Sequence, residues 1–171
     1  NKSLIAINTL LKQVNYDLNK KTIDLLTKKF TDPKVNLNNK SSAINVLSNI
    51  VLNRKVFFPE LIKQLAIEID SKESKIVNSA VSALTQTAHN KYYLSNQENA
   101  DFISNIISAK IGITNNALNR KLVKNIKYIA NLNKNLHLKT IQNFINIIAN
   151  PKANTELSLA LIGILSDIRK Y

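Results

Sequence analysis

The residue types that catalyse reactions or bind metal ions are scarce in this sequence. It has no cysteine, which excludes disulfides, thiol nucleophiles and cysteine-ligated zinc. It also has no HExxH motif, no glycine-rich phosphate-binding loop and no serine in a nucleophile-elbow context. The residue types therefore predict a protein that is not an enzyme, with no catalytic residue, no metal site and no cofactor.

The remaining titratable residues have simple structural explanations. His89 follows an apolar helical stretch, where contact with the carboxyl end of a helix or plain exposure accounts for it. His137 lies between Leu136 and Leu138, and we expect partial burial with one ring nitrogen hydrogen bonded. No neighbour in the sequence tunes the aspartates that could act as general bases, namely Asp17, Asp24, Asp101 and Asp167.

Positive charge is concentrated in one helical stretch, NRKLVKNIKYIANL (residues 119–132). On a helix, one arc of this stretch is apolar and consists of Leu122, Val123, Ile126, Ile129 and Ala130. The opposite arc and its flanks are polar and mostly basic: Arg120, Lys121, Lys124, Lys127 and Tyr128. This division predicts a helix with one face in a core and one cationic face in water.

Three interpretations of the cationic face remain open. It can be the solvated side of an amphipathic helix, which must be polar whatever the protein does. It can bind an acidic protein or peptide, or it can bind a nucleic-acid backbone without reading its sequence, with Tyr128 stacking on a base. For either binding role, the predicted surface also includes Lys40 and Lys75, which lie at or near the ends of two other helices. The full predicted set is Arg120, Lys121, Lys124, Lys127, Tyr128, Lys75 and Lys40.

The composition limits the fold and the class of partner. The 171 residues carry a formal net charge of +13. Of the 24 basic residues, however, only three are arginine: Arg54, Arg120 and Arg169. Arginine binds phosphates and base edges better than lysine does, so its scarcity weakens the case for a nucleic-acid partner. Two glycines and three prolines are few for a nucleotide-binding α/β fold or a β-sandwich and favour long helices. No apolar run approaches the roughly 20 residues that span a membrane.

An internal repeat organises the whole chain. One short pattern begins with a small or apolar residue and has further apolar residues one and four positions later. It occurs five times, beginning at Ala6, Ala43, Ala80, Leu122 and Ala160. The intervals between these starts are 37, 37, 42 and 38 residues, and a second apolar series with similar intervals lies between them. Because both series have helical spacing, they predict a repeated pair of helices.

Helix-breaking and helix-capping residues fall between the two series. The first helix of each pair is followed by a breaker: Asp32-Pro33, Asp70-Ser71, Gly112 and Asn150-Pro151. Short polar residues suited to capping lie near the starts of the second helices: Ser3, Ser42, Ser74 and Asn115. The predicted pairs run over residues 21–53, 58–90, 99–132 and 136–170, after half a repeat at 2–15.

One unit carries a family resemblance. The segment FPELIKQLAIEIDSKESKIVNSAVSALTQTA (58–88) has a proline-led first helix, a short acidic turn, and Val77, Ala80 and Leu84 at the spacing of a HEAT repeat. It departs from the family where Asn78 replaces the usual arginine. The chain thus resembles the HEAT repeats, with an armadillo-like array or an irregular helical bundle as the alternatives. The resemblance implies an all-α solenoid, a right-handed superhelical stack of about four and a half antiparallel helix pairs in one domain, 1–171.

For function, the resemblance implies a non-catalytic scaffold whose second helices present a basic concave surface to an acidic protein or peptide. Binding of a nucleic-acid backbone by the same surface is the alternative. Its enzymatic variant would be a HEAT-like alkylpurine DNA glycosylase, but those enzymes use a tryptophan, and this sequence has none. The half repeat 2–15 predicts a segment of a longer chain, or end-to-end packing of its N-terminal flank on another chain.

Overall fold

Every regular element of the described chain is a helix. The computed structural model describes residues 20–32, 34–53 and 57–168, and no strand occurs in these ranges. In order, the helices are α1 (Lys20–Thr31), α2 (Leu37–Asn53), α3 (Pro59–Glu68), α4 (Ser74–Ala88), α5 (Lys91–Leu94), α6 (Gln97–Ser108), α7 (Asn116–Asn133), α8 (Leu138–Ile148) and α9 (Thr155–Ile168). Some predictions lie outside the described residues, namely those for the half repeat 2–15, Ser3, Asp17, Arg54 and Arg169.

The first of two compact units, Asn1–Gln86, is built on a continuous apolar core. Helices α1 and α2 pack against each other across a short connection, and α1 also contacts α3. The buried residues recur at helical spacing, so that each helix turns one apolar stripe inward away from water. They include Ile23, Leu26, Ala43, Ile44, Leu47, Ile50, Leu61, Ile62, Leu65, Ala80 and Leu84.

Side-chain hydrogen bonds fix α2 and α4, the second helices of the first unit, in parallel register. Ser41 Oγ lies 2.8 Å from Ser79 Oγ, and Ser48 donates to Gln86 Oε1. In both bonds the partners are 38 residues apart, which matches the predicted repeat interval. Because the offset is constant along both helices, they lie side by side in the same direction, and equivalent positions of successive repeats contact each other.

The second unit, Thr87–Tyr171, shows a similar register between its first helices, α6 and α8. Ser104 Oγ lies 3.1 Å from Thr140 Oγ1, and Asn143 donates to Ser108 Oγ at 2.9 Å, across separations of 36 and 35 residues. Within each unit, therefore, helical repeats stack in register, and the predicted all-α fold of repeated helix pairs is confirmed. The right-handed sense of the stack, the number of pairs and the single domain stay predictions.

The amino end of α2 differs from the sequence prediction. Ser42 was expected to cap this helix, but the helix begins at Leu37, and Ser42 lies inside it. The capping bond comes from Asn36, whose Oδ1 accepts a hydrogen bond from Asn39 N at 2.9 Å. Asparagine caps a helix as well as serine does, so the earlier polar residue sets the start, and the predicted cap was wrong by six residues, nearly two turns.

A short helix that the sequence pattern did not predict, α5 (Lys91–Leu94), lies near the start of the second unit. Asn90 caps it, because its Oδ1 accepts hydrogen bonds from the backbone N–H groups of Tyr92 and Tyr93 at 3.0 and 3.3 Å. The Tyr93 ring is fully buried, whereas half of Tyr92 is exposed. The short helix thus carries a large aromatic side chain into the core of the unit.

This burial gives the protein a specific sensitivity to alkali. Burial raises the pKa of the Tyr93 hydroxyl well above the ordinary tyrosine value of 10.0. In the unfolded chain Tyr93 ionises at about pH 10, while the folded state keeps the proton, so above that pH the unfolded state binds fewer protons. The free energy of unfolding should therefore fall by up to about 1.4 kcal/mol per pH unit from about pH 10 towards the raised pKa.

Urea denaturation at a series of alkaline pH values measures this slope. Tyr93→Phe removes the ionisable group and should flatten the fall in stability above about pH 10. Tyr92→Phe is the matched control, because it makes the same change on a half-exposed ring. Equal slopes for the wild type and Tyr93→Phe would contradict the prediction.

Candidate binding groove between α7 and α9

Helix α7 carries the predicted cationic arc. As predicted, Asn115 caps its amino end, accepting a hydrogen bond from a backbone N–H of the first turn at 3.0 Å. Its carboxyl end stops at Lys134, which adopts the left-handed conformation with φ 59°. The core buries the whole predicted apolar arc, Leu122, Val123, Ile126, Ile129 and Ala130. This burial fixes the rotation of the helix and leaves Arg120, Lys124 and Lys127 exposed.

Helix α9 forms the opposite wall of a groove of about 390 Å³. It buries Leu161 and Ile164, and two small residues, Ala160 and Gly163, line the groove. The apolar part of the lining consists of Val123, Leu157, Ala160, Gly163 and Ile164, and the cationic part of Arg120, Lys124 and Lys127. A cavity of this size holds a small ligand or a few side chains of a peptide.

Two ion pairs link the walls of the groove. Arg120 Nη2 lies 2.8 Å from Glu156 Oε2, and Lys127 Nζ lies 3.7 Å from Asp167 Oδ2. The hydrogen bond to Glu156, together with its negative charge, raises the pKa of the Arg120 guanidinium. All four side chains are at least 45% exposed, so solvent weakens both pairs.

Lys124 lies between these two pairs on α7. Among the described residues, its ammonium is seen in no ion pair and no hydrogen bond, although it lines the groove. Of the three groove cations that the structure describes, Lys124 is therefore the one whose charge is not paired with an acidic side chain of α9.

The charged bridges of this groove differ from the contacts between the second helices of the first unit. There, the hydrogen bonds described between α2 and α4 join Ser41 with Ser79, Ser48 with Gln86, and Lys75 with the neutral Asn38. Between α7 and α9, the described bridges are ion pairs. At Gly163 there is also open space, because a Cβ placed there would have no heavy atom within 4 Å.

Two other predicted site residues lie on α7 outside the groove lining. Lys121 is exposed on the flank of the helix. The ring of Tyr128 stacks on the imidazole of His89, with ring centroids 4.3 Å apart and planes 9° apart. One face of Tyr128 is therefore covered by the protein itself. The sequence did not indicate this stack, because the two residues lie in different repeats.

The remaining predicted residues, Lys40 and Lys75, belong to the first unit, and each has a polar partner there. Lys40 Nζ lies 3.0 Å from Glu68 Oε2, and both side chains are mostly buried. Lys75 donates to Asn38 Oδ1 at 2.6 Å. The structure thus gathers Arg120, Lys124 and Lys127 in one groove and places Lys40 in a structural ion pair.

Sequence reasoning missed the contributions of α9, namely Glu156, Asp167 and Gly163. One signal could have found the first: Glu156 follows Arg120 by 36 residues, close to one repeat interval. Residues one interval apart meet in a stacked repeat, so an acidic residue at that offset marks a cross-repeat pair. No sequence signal of this kind shows that Gly163 lines a groove, because a glycine with no particular role would look the same in the sequence.

Among the described residues, no group of three or more histidine, aspartate and glutamate side chains could hold a metal ion. No helix in the described part of the chain combines the length and apolar character needed to cross a membrane.

The predicted partial burial of His137 was wrong, because the side chain is exposed. His137 caps α8, and its Nδ1 accepts a hydrogen bond from Lys139 N at 3.2 Å. The prediction that one of its nitrogens is bonded was correct.

The helices and their cross-repeat register define this chain as an all-α helical-repeat protein. No family model matches the sequence, and no curated protein is significantly similar to it. Among solved structures, a designed armadillo repeat protein in complex with the peptide (KR)4 is similar, with a TM-score of 0.45 and 13% sequence identity over 99% of this chain and 83% of that chain. No function follows from a similarity at this level.

Proposed function

We propose that this protein is a non-catalytic binding module and that the α7–α9 groove binds an acidic segment of another protein or peptide. One observation carries the proposal: an apolar floor and a cationic rim occur in the same groove of about 390 Å³. Peptide segments bring apolar side chains and carboxylates together, so they complement both parts of the lining. Lys124 supplies the first attachment point, and Arg120 and Lys127 become available as Glu156 and Asp167 are displaced.

Binding of a nucleic-acid backbone through the same groove is the second candidate, and the same geometry favours it less. A phosphate backbone needs a continuous track of cations, whereas here Glu156 and Asp167 pair with Arg120 and Lys127 and interrupt that track. An apolar floor has no counterpart on a sugar–phosphate backbone. Tyr128 also has one ring face covered by His89, which limits base stacking.

A direct binding measurement tests the proposal. The probe is a fluorescein-labelled short peptide of glutamate, aspartate and leucine, followed by fluorescence anisotropy at physiological salt. We expect the wild type to bind it and Lys124→Glu to weaken binding by about tenfold or more, since the variant replaces an attraction with a repulsion. Lys139→Glu is the matched control, because it makes the same charge change at an exposed position of the second unit outside the groove lining.

The outcomes separate the candidates. Equal losses in Lys124→Glu and Lys139→Glu would show attraction by net charge alone and contradict the groove. Tight binding of labelled duplex DNA that weakens steeply with salt, with no binding of the acidic peptide, would establish the nucleic-acid alternative instead. Absence of binding to both probes would overturn the proposed function.

A further inference from the structure

We infer that the α7–α9 groove selects an apolar anchor residue within the acidic segment, and that Gly163 provides the space for it. This inference rests on the proposed function and adds the side-chain chemistry of the ligand. The ligand class is an extended acidic peptide with one aliphatic or aromatic residue flanked by carboxylates, not a uniformly acidic chain.

Gly163 has no explanation in the folding of α9. It lies inside a regular helix, where glycine is less stable than alanine because it loses more conformational freedom. A Cβ at this position would have no heavy atom within 4 Å, so no close approach of another segment demands glycine. Gly112 is the contrast within this chain, because its φ of 88° favours glycine whatever surrounds it.

The surroundings of Gly163 suit an apolar side chain. Ala160 lies one turn earlier on α9, and Val123 on α7 and Ile164 on α9 also line the groove. An aliphatic or aromatic group placed over Gly163 would therefore leave water and contact carbon on several sides. Any larger residue at position 163 would fill this space from the protein itself.

The cations of α7 set the position of the acidic residues. Arg120, Lys124 and Lys127 follow each other at one-turn intervals, so the span from Arg120 to Lys127 is about 10 Å along the helix axis. An extended peptide covers this distance with about three residues. Carboxylates within about three residues of the anchor can therefore reach the cations while the anchor occupies the groove floor.

The experiment compares two labelled peptides that share every acidic residue and differ at one position, leucine in one and serine in the other. The proteins are the wild type, Gly163→Leu, and Ser166→Leu, which adds the same side chain to α9 at an exposed position outside the groove lining. We expect the wild type and Ser166→Leu to prefer the leucine peptide by about tenfold. Gly163→Leu should lose this preference and still bind the serine peptide through Lys124.

Folding of Gly163→Leu is checked by thermal denaturation, where leucine in a helix with free space should raise or maintain the melting temperature. Gly163→Ala, which adds a single methyl group, should reduce the preference without abolishing it. If the wild type binds both peptides equally, or Gly163→Leu keeps the preference, the inference fails while the proposed function stands. If the wild type binds neither peptide, both fail.

Discussion

Replacing Phe144 with alanine should lower the free energy of unfolding by about 3–5 kcal/mol, the largest effect of any substitution considered for this chain. Phe144 is fully buried, and it is one of two buried residues of α8, the other being Thr140. The ring is therefore the fully buried apolar side chain that α8 contributes to the core of the second unit. Alanine would remove this contact and leave a cavity that the neighbouring helices cannot fill.

Urea denaturation followed by circular dichroism measures the loss. Ile145→Ala is the matched control, because Ile145 is the next residue on the same helix and is 47% exposed. Its replacement should change the stability by much less, at most about 1 kcal/mol. Similar losses for the two variants would mean that α8 is not anchored through Phe144.

The second large effect concerns the ion pair of Lys40 with Glu68 in the first unit. Their charged atoms are 3.0 Å apart, and the side chains are 18% and 10% exposed. Lys40→Met keeps the aliphatic stem but leaves the Glu68 carboxylate without its partner in a place with little water. We expect a loss of about 2 kcal/mol, less than for a fully buried pair because both groups keep some solvent contact.

A double-mutant cycle distinguishes this charge effect from a packing effect. Lys40→Met combined with Glu68→Met removes both charges and should regain most of the lost stability. Lys63→Met is the surface control, because the pair of Lys63 with Glu60 is at least half exposed, and it should cost at most about 1 kcal/mol. Additive losses in the double variant would contradict the proposed coupling.

The helices and the core could be predicted because their signals are local. The helical spacing of the internal repeat indicates Ala80 and Leu84, the resemblance to a HEAT repeat adds Val77, and all three are buried. The same helical spacing indicates the apolar arc of α7. When the apolar residues of a helix lie on one arc, a single orientation of the helix buries all of them. The cap of α2 was predicted wrongly at Ser42 because several neighbouring polar residues can cap a helix. The sequence pattern does not show which of them, Asn36 or Ser42, does so.

The groove could be predicted only in part, because it depends on contacts between residues far apart in the chain. The sequence identified the cations of α7 but not the carboxylates that face them from the next repeat, 36 and 40 residues later. It also grouped Lys40 with the basic surface, since a lysine gives no local sign that it will pair with Glu68. Open space at Gly163 is a property of the assembled helices and has no sequence pattern of its own.

The most direct test of the groove is to map where an acidic peptide binds. Amide chemical shifts of the isotope-labelled protein, recorded during titration with the leucine-containing acidic peptide, report the site residue by residue. The proposal predicts that the perturbed amides cluster on α7 and α9, around Lys124 and Gly163. Shifts centred on Lys40 and Lys75 in the first unit, or shifts spread evenly over all lysine-bearing helices, would contradict it.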